Sequence, residues 1–139
     1  MSVTLTEQAV IDRRKTVTRR LGWWTDRNGR RLLHEGDRLT LCRKVMGRRH
    51  ADGTVDPLVR LAEVDVISVR REPVFDISPD DISAEGVDPA VIAAHGGEIG
   101  PDGQPSRWAW IDWFCAAQRC GPYDLVTRIE WLYRDEVTP

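Results

Sequence analysis

A lysine and a threonine stand three residues apart in the segment Arg13-Arg14-Lys15-Thr16-Val17-Thr18-Arg19-Arg20. On an extended or turning segment, the Lys15 amine and the Thr18 hydroxyl can converge on one pocket. A lysine withdrawn from water favours its neutral form and can then act as base toward a neighbouring hydroxyl. Glu85 ends a short predicted helix just before Gly86, where it can position that lysine or shuttle a proton. The plainer reading of the same residues is structural. Thr18 then fills a strand, and Lys15 and Glu85 form an ion pair.

The segment also reads as a binding surface. Arg13, Arg14, Lys15, Arg19 and Arg20 form a cluster suited to phosphate contacts, each adding salt-dependent affinity. Trp23 and Trp24 follow at once, and a tryptophan beside arginines is a platform on which a base can stack. On an extended segment neighbouring side chains point to opposite sides. One of Trp23 and Trp24 is therefore expected to be the more exposed. One of Arg19 and Arg20 is expected to face the cleft, the other solvent or an acidic partner such as Glu85.

Composition bounds the choices. A chain of 139 residues, 41% hydrophobic with six Trp, is one domain (1–139) with a sizeable core. No apolar run is long enough to span a bilayer, and residues 1–10 lack the pattern of a signal peptide. No membrane partner and a cytoplasmic location are expected. The formal net charge of -2 hides an asymmetry: residues 13–49 hold 13 Lys or Arg against three acids, and the rest of the chain after them holds seven against 17. Such polarity fits polyanion binding, or two halves that neutralise each other across the fold. Cys42, Cys115 and Cys120 are an odd number at spacings that suit neither a disulfide framework nor a zinc site. They are read as unmodified thiols, and no metal or cofactor is expected.

The elements that must position these residues follow from periodicity. Residues 6–11 read as a short helix capped by Thr4 or Thr6, and Val17 between two threonines reads as strand. Asn28-Gly29 and residues 35–37 mark turns, the second leading into an alternating strand over 38–42. Residues 46–57 read as an exposed loop. Residues 58–69 give one long strand or two, with Val64, Val66 and, after Ile67, Val69 in alternation. Ser78-Pro79 and Asp88-Pro89 open two short helices, the first stopped by Gly86. Residues 95–106 are a Gly/Pro-rich loop. Residues 107–120 are helical, with an apolar face of Trp110, Trp113, Phe114 and Ala117, ended by Gly121-Pro122. Residues 124–133 form a closing strand. This order predicts an α+β, β-rich fold, a closed or nearly closed small barrel with short helices over its ends.

These residues resemble a known family. Lys15-Thr16-Val17-Thr18-Arg19-Arg20 is similar to the Lys-Thr-x-Thr-x-Arg motif that opens ASCH domains. Residues 33–39 resemble the family's Gly-Asp turn, residues 64–71 its valine-rich strand, and residues 76–86 its Asp-Ile to Glu-Gly helix. Residues 110–114 and 126–131 resemble its last helix and strand, in the same order. Arg13-Arg14 stands where many members have Gly-Arg, and the loop before Trp108 is longer than in the shortest members. The resemblance implies a PUA-like small β-barrel of the compact type common in phage and bacterial genomes, located in the host cytoplasm if phage-encoded. It implies a domain that binds RNA, DNA or a modified nucleobase. Some small members are amidohydrolases that remove the acyl group of N4-acetylcytidine, and Lys15, Thr18 and Glu85 match their catalytic trio. Other members have been linked to RNA cleavage. A third expectation is a protein-interaction module using the tryptophan-rich helix as its surface.

Overall fold

The computed structural model describes residues 1–43, 49–55 and 57–134. Four strands, β1 (Val17–Arg20), β2 (Arg38–Cys42), β3 (Arg60–Pro73) and β4 (Leu125–Tyr133), form one antiparallel sheet in the order β1-β4-β3-β2. The helices are α1 (Glu7–Ile11), α2 (Pro79–Glu85), α3 (Pro89–Ala94) and α4 (Arg107–Gln118). The architecture is small, α+β and rich in strand, as the residue pattern predicts. No helix among the described residues is long and apolar enough to cross a membrane. The expected loop over residues 46–57 lies partly outside the described residues; its described part that is assigned a burial state is exposed.

β3 is a single strand of 14 residues. Its pairing with β4 shifts register between Val66 and Ser68, so Ile67 is an inserted residue. That bulge explains why the valine alternation slips at Ile67: Val64 and Val66 are buried, whereas Ile67 is 41% exposed.

The sheet curls into a half-barrel. Its two edges, β1 and β2, both reach Ser2. Ser2 makes a parallel bridge to Cys42 of β2. The Arg20 guanidinium of β1 donates to the Ser2 carbonyl. Among the described residues the seam where a fully closed barrel would have continuous strand pairing holds this bridge, the Arg20 side chain, and bonds from the Met1 ammonium to the Thr40 carbonyl and from the Ser2 hydroxyl to the Arg43 carbonyl. The interior is filled from all sides by Met1, Val3, Val10, Leu33, Leu39, Leu41, Val64, Val66, Ile129 and Trp131. A second core, including Val74, Ile77, Ile82, Ile92, Trp110, Phe114 and Val126, lies under α2, α3 and α4. β4 serves both cores, and alternation sends Val126 to one and Ile129 and Trp131 to the other.

Helix starts follow the capping residues. Ser78 Oγ accepts from the Asp81 amide (3.2 Å), Asp88 Oδ1 from the Ala90 amide (2.9 Å) and Ser106 Oγ from the Ala109 amide (3.1 Å). Two ends differ from expectation. The Thr6 hydroxyl donates to the Val3 carbonyl and caps nothing. α4 ends at Arg119 in the left-handed region (φ 55°), before Gly121-Pro122.

Candidate functional site

A cavity of about 270 Å³ opens between the sheet edge β1, the N-terminal residues 2–6, the end of α2 and α4. Lys15, Thr18 and Glu85 all line it, as do Arg19, Arg20, Trp113 and Gln118. Gly86 makes this convergence possible. Its φ is 73°, and a Cβ there would lie 2.7 Å from Ala9 Cβ and 3.0 Å from Lys15 Cβ.

Lys15 is 2% exposed and Glu85 4%. The Lys15 ammonium donates to the Glu85 carbonyl (2.6 Å) and sits 3.6 Å from Glu85 Oε1. Its backbone is pinned too, because the Lys15 carbonyl accepts from Trp131 Nε1 (3.1 Å) and from the Tyr133 hydroxyl. Burial pulls the Lys15 pKa down to about 8, and the nearby Glu85 carboxylate offsets only part of that. Thr18 is 4% exposed, and its hydroxyl has no hydrogen-bond partner among the described residues.

Behind this pair lies an ionic network. Arg19 donates to Glu85 Oε2 (3.0 Å), to Glu72 Oε1 (2.6 Å) and to Asp81. Arg128 grips the same Asp81 with two bonds, Nε to Oδ2 (2.7 Å) and Nη2 to Oδ1 (3.0 Å). Lys15, Arg19 and Arg128 thus face Glu72, Asp81 and Glu85, three cations against three carboxylates, which is how so many charges tolerate burial. Burial by itself raises the Asp81 pKa, but the bonds from Arg128 and Arg19 outweigh it and hold it at about 2. The bond to Asp81 pushes the Arg128 pKa further up.

The arginines expected as a phosphate-facing rim do not share one surface. The Arg19 side chain is fully buried, and its charge is shared among three carboxylates. The pair Arg19 and Arg20 does divide, with Arg19 taking Glu85. Arg20 is half-buried, its pKa lowered by burial, and it reaches Ser2 at the cavity mouth. Arg13 and Arg14 are exposed but open onto other clefts. Arg14 borders one of about 420 Å³ and pairs with Asp12 at 3.3 Å. Arg13 borders another of about 690 Å³, where it lies over the Tyr133 ring. Trp23 and Trp24 do not line the cavity with Lys15. Trp23, at φ 69°, packs on the barrel core, and one face of Trp24 is covered by the Arg31 guanidinium at 3.7 Å.

Sequence reasoning missed Glu72, Asp81 and Arg128, and it did not place Trp113, which packs against the second core, at the site. Two signals were present. Asp81 and Glu85 are four apart on one helix, so both carboxylates lie on one face. Arg128 shares a strand face with buried Val126, and an arginine there requires an acid. Trp113 is half-buried and supplies an aromatic wall to the cavity. Trp110 is fully buried, so the helix face expected as an interaction surface is its inner face. Among the described residues, no group of three or more His, Cys, Asp or Glu is arranged to hold a metal ion.

In fold, the chain is similar to protein EF3133 from Enterococcus faecalis V583, of the family model DUF984. That likeness has a TM-score of 0.54 at 18% identity and covers 94% of this chain and 70% of the other. At this identity the likeness is one of fold. A looser one, with a TM-score of 0.48 and 13% identity over 92% of this chain and 69% of the other, is to an ASCH domain from Lactobacillus crispatus JV V101. Neither a family model nor a curated protein sequence matches the chain.

Proposed function

We propose that the cavity beside β1 receives a nucleobase, in keeping with the ASCH-type motif that builds its wall. The observation that carries this reading is the meeting of Lys15, Thr18 and Glu85 in one cavity with the aromatic wall of Trp113. A flat base needs a ring to stack on and hydrogen-bonding groups at its edge. Trp113 supplies the first, and the Thr18 hydroxyl and the Gln118 amide supply the second. The volume, about 270 Å³, sits near the lower end of ligand pockets, roughly 300 Å³. That suits a base or nucleoside better than a folded strand. Calorimetric titration with cytidine and N4-acetylcytidine tests the reading. Saturable binding is expected, with a loss of at least roughly tenfold for Trp113→Ala, the effect of about 1.4 kcal/mol of stacking. Absence of binding by the intact chain, or unchanged binding in Trp113→Ala, contradicts it.

A second reading has its own supporting observation. With its pKa at about 8, roughly a tenth of Lys15 is neutral at pH 7, and the Thr18 hydroxyl has no competing partner among the described residues. In an amide hydrolysis, neutral Lys15 takes the Thr18 proton as Thr18 Oγ bonds to the acyl carbon. The tetrahedral intermediate collapses as the amide C–N bond breaks and the leaving nitrogen takes the proton back from Lys15. Water then cleaves the acyl ester, with the same lysine as base. Arg19 keeps Glu85 in place, and Glu85 keeps the lysine in place. Release of acetate from N4-acetylcytidine is the readout. Thr18→Val is expected to abolish it, and full turnover in Thr18→Val rules the reading out.

A further inference from the structure

A second cleft lies on the other side of the Lys15 backbone. It is bounded by α1, the starts of β2 and β3, and the end of β4, and has a volume of about 690 Å³. Among the described residues, four arginines line it, Arg13, Arg38, Arg60 and Arg134, with one carboxylate, Glu63. We infer that this cleft holds the phosphodiester backbone of a single strand whose base occupies the first cavity. The inference rests on the nucleobase reading above.

Three observations carry it. The first is the state of the arginines. Arg60 is exposed, and its side chain makes no hydrogen bond or ion pair to another described residue. Arg38 is only 3.9 Å from Glu63, and Arg134 is 2.9 Å from Asp65, both pairs with side chains about half exposed. Exposed pairs of this kind are worth less than about 1 kcal/mol, so a phosphate can compete for these cations. That contrasts with Arg19 and Arg128, whose charge is consumed inside the fold.

The second is continuity. Tyr133 lines the cleft, and its hydroxyl donates to the Lys15 carbonyl, while the Lys15 side chain lines the first cavity. Lys15 thus meets a lining residue of the cleft through its carbonyl and lines the first cavity with its side chain. Arg13, two residues before Lys15, lies over the Tyr133 ring at 5.7 Å and joins the two. The third is chemistry. Arginine presents a planar fork of donors to phosphate oxygens, and an arginine-lined groove follows a backbone without reading sequence.

The test uses the full chain and a short fluorescein-labelled single strand, RNA in one arm and DNA of the same sequence in the other. Anisotropy titrations are run across a series of salt concentrations. Cytidine and N4-acetylcytidine binding is measured in parallel. The double variant Arg38→Ala with Arg60→Ala removes two exposed side chains, so the fold is retained. Its salt slope is expected to fall by about 1.4, about 0.7 for each lost contact to a single strand. Strand affinity falls with it, while nucleoside affinity is unchanged. Arg27→Ala, an exposed cation outside the cleft, leaves the slope as it was. An unchanged slope in the double variant, or an equal drop for Arg27→Ala, overturns the inference even where nucleosides bind. A lost slope together with no nucleoside binding by the intact chain upholds a backbone cleft and overturns its link to the first cavity. A preference between the two arms identifies which sugar the strand carries.

Discussion

At Lys15, burial and the neighbouring Glu85 act in opposite directions, and burial prevails. The pKa falls from its ordinary 10.5 to about 8. A lysine lowered in the folded state is one whose charged form folding penalises. The penalty is full below pH 8 and is relieved between pH 8 and 10.5, where the unfolded chain still holds the proton. Stability of the wild-type chain is therefore expected to gain on the order of 3 kcal/mol across that window relative to Lys15→Met, read from urea unfolding at stepped pH. Parallel pH profiles for the two chains contradict this. If the site hydrolyses N4-acetylcytidine, turnover rises through pH 8 as Lys15 loses its proton. Asp81 has the opposite sign. Its pKa is held at about 2, so its contribution is complete above its ordinary 3.8 and lost as pH falls through 2. Asp81→Asn strips a buried partner from both Arg19 and Arg128 and is expected to cost about 3 kcal/mol in urea unfolding at neutral pH. Of this network the sequence disclosed Lys15, Arg19 and Glu85. Glu72 and Asp81 stayed hidden because the pairing of β3 and the packing of α2 on β1 bring them within reach from more than fifty residues away.

At the level of elements, the site depends on how closely the end of α2 approaches the turn before β1. Gly86 sets that distance. Gly86→Ala carries two costs, the left-handed φ of 73° and contacts at 2.7 and 3.0 Å with Ala9 and Lys15. Gly29→Ala carries only the first, since its φ is 77° and nothing lies within 4 Å. Gly86→Ala is expected to melt lower than Gly29→Ala and to weaken nucleoside binding, which Gly29→Ala spares. Equal melting temperatures contradict the steric argument. Most elements were legible because local chemistry dictates them: Ser78, Asp88 and Ser106 as caps, Gly86 as stop, valine alternation along β3. The end of α4 was not, because a non-glycine residue, Arg119, takes the left-handed conformation that glycine usually supplies. Nor was the packing of Trp23 and Trp24. Adjacency in sequence says that two side chains diverge, and says nothing of the core or of the arginine each one meets.

Across the whole molecule, the charge asymmetry of the sequence divides into two uses. Part of the basic third is neutralised by the acidic remainder, as Arg19 is by Glu72, Asp81 and Glu85. Another part, Arg38, joins Arg60 and Arg134 on the second cleft. Composition showed the polarity; only the fold shows which cations are consumed. The half-barrel was partly legible, since the succession of strands along the chain was, while the seam through Ser2 joins residues that no periodicity connects. The central claim is that a base enters the cavity between β1 and α4 and meets Trp113 there. Titration of the labelled chain with cytidine and N4-acetylcytidine, followed by the tryptophan indole and threonine amide NMR signals, tests it most directly. The account predicts saturable shifts at Trp113 and Thr18, with Trp24 unmoved. Shifts confined to Trp23 and Trp24, or none at Trp113 at saturation, would contradict it.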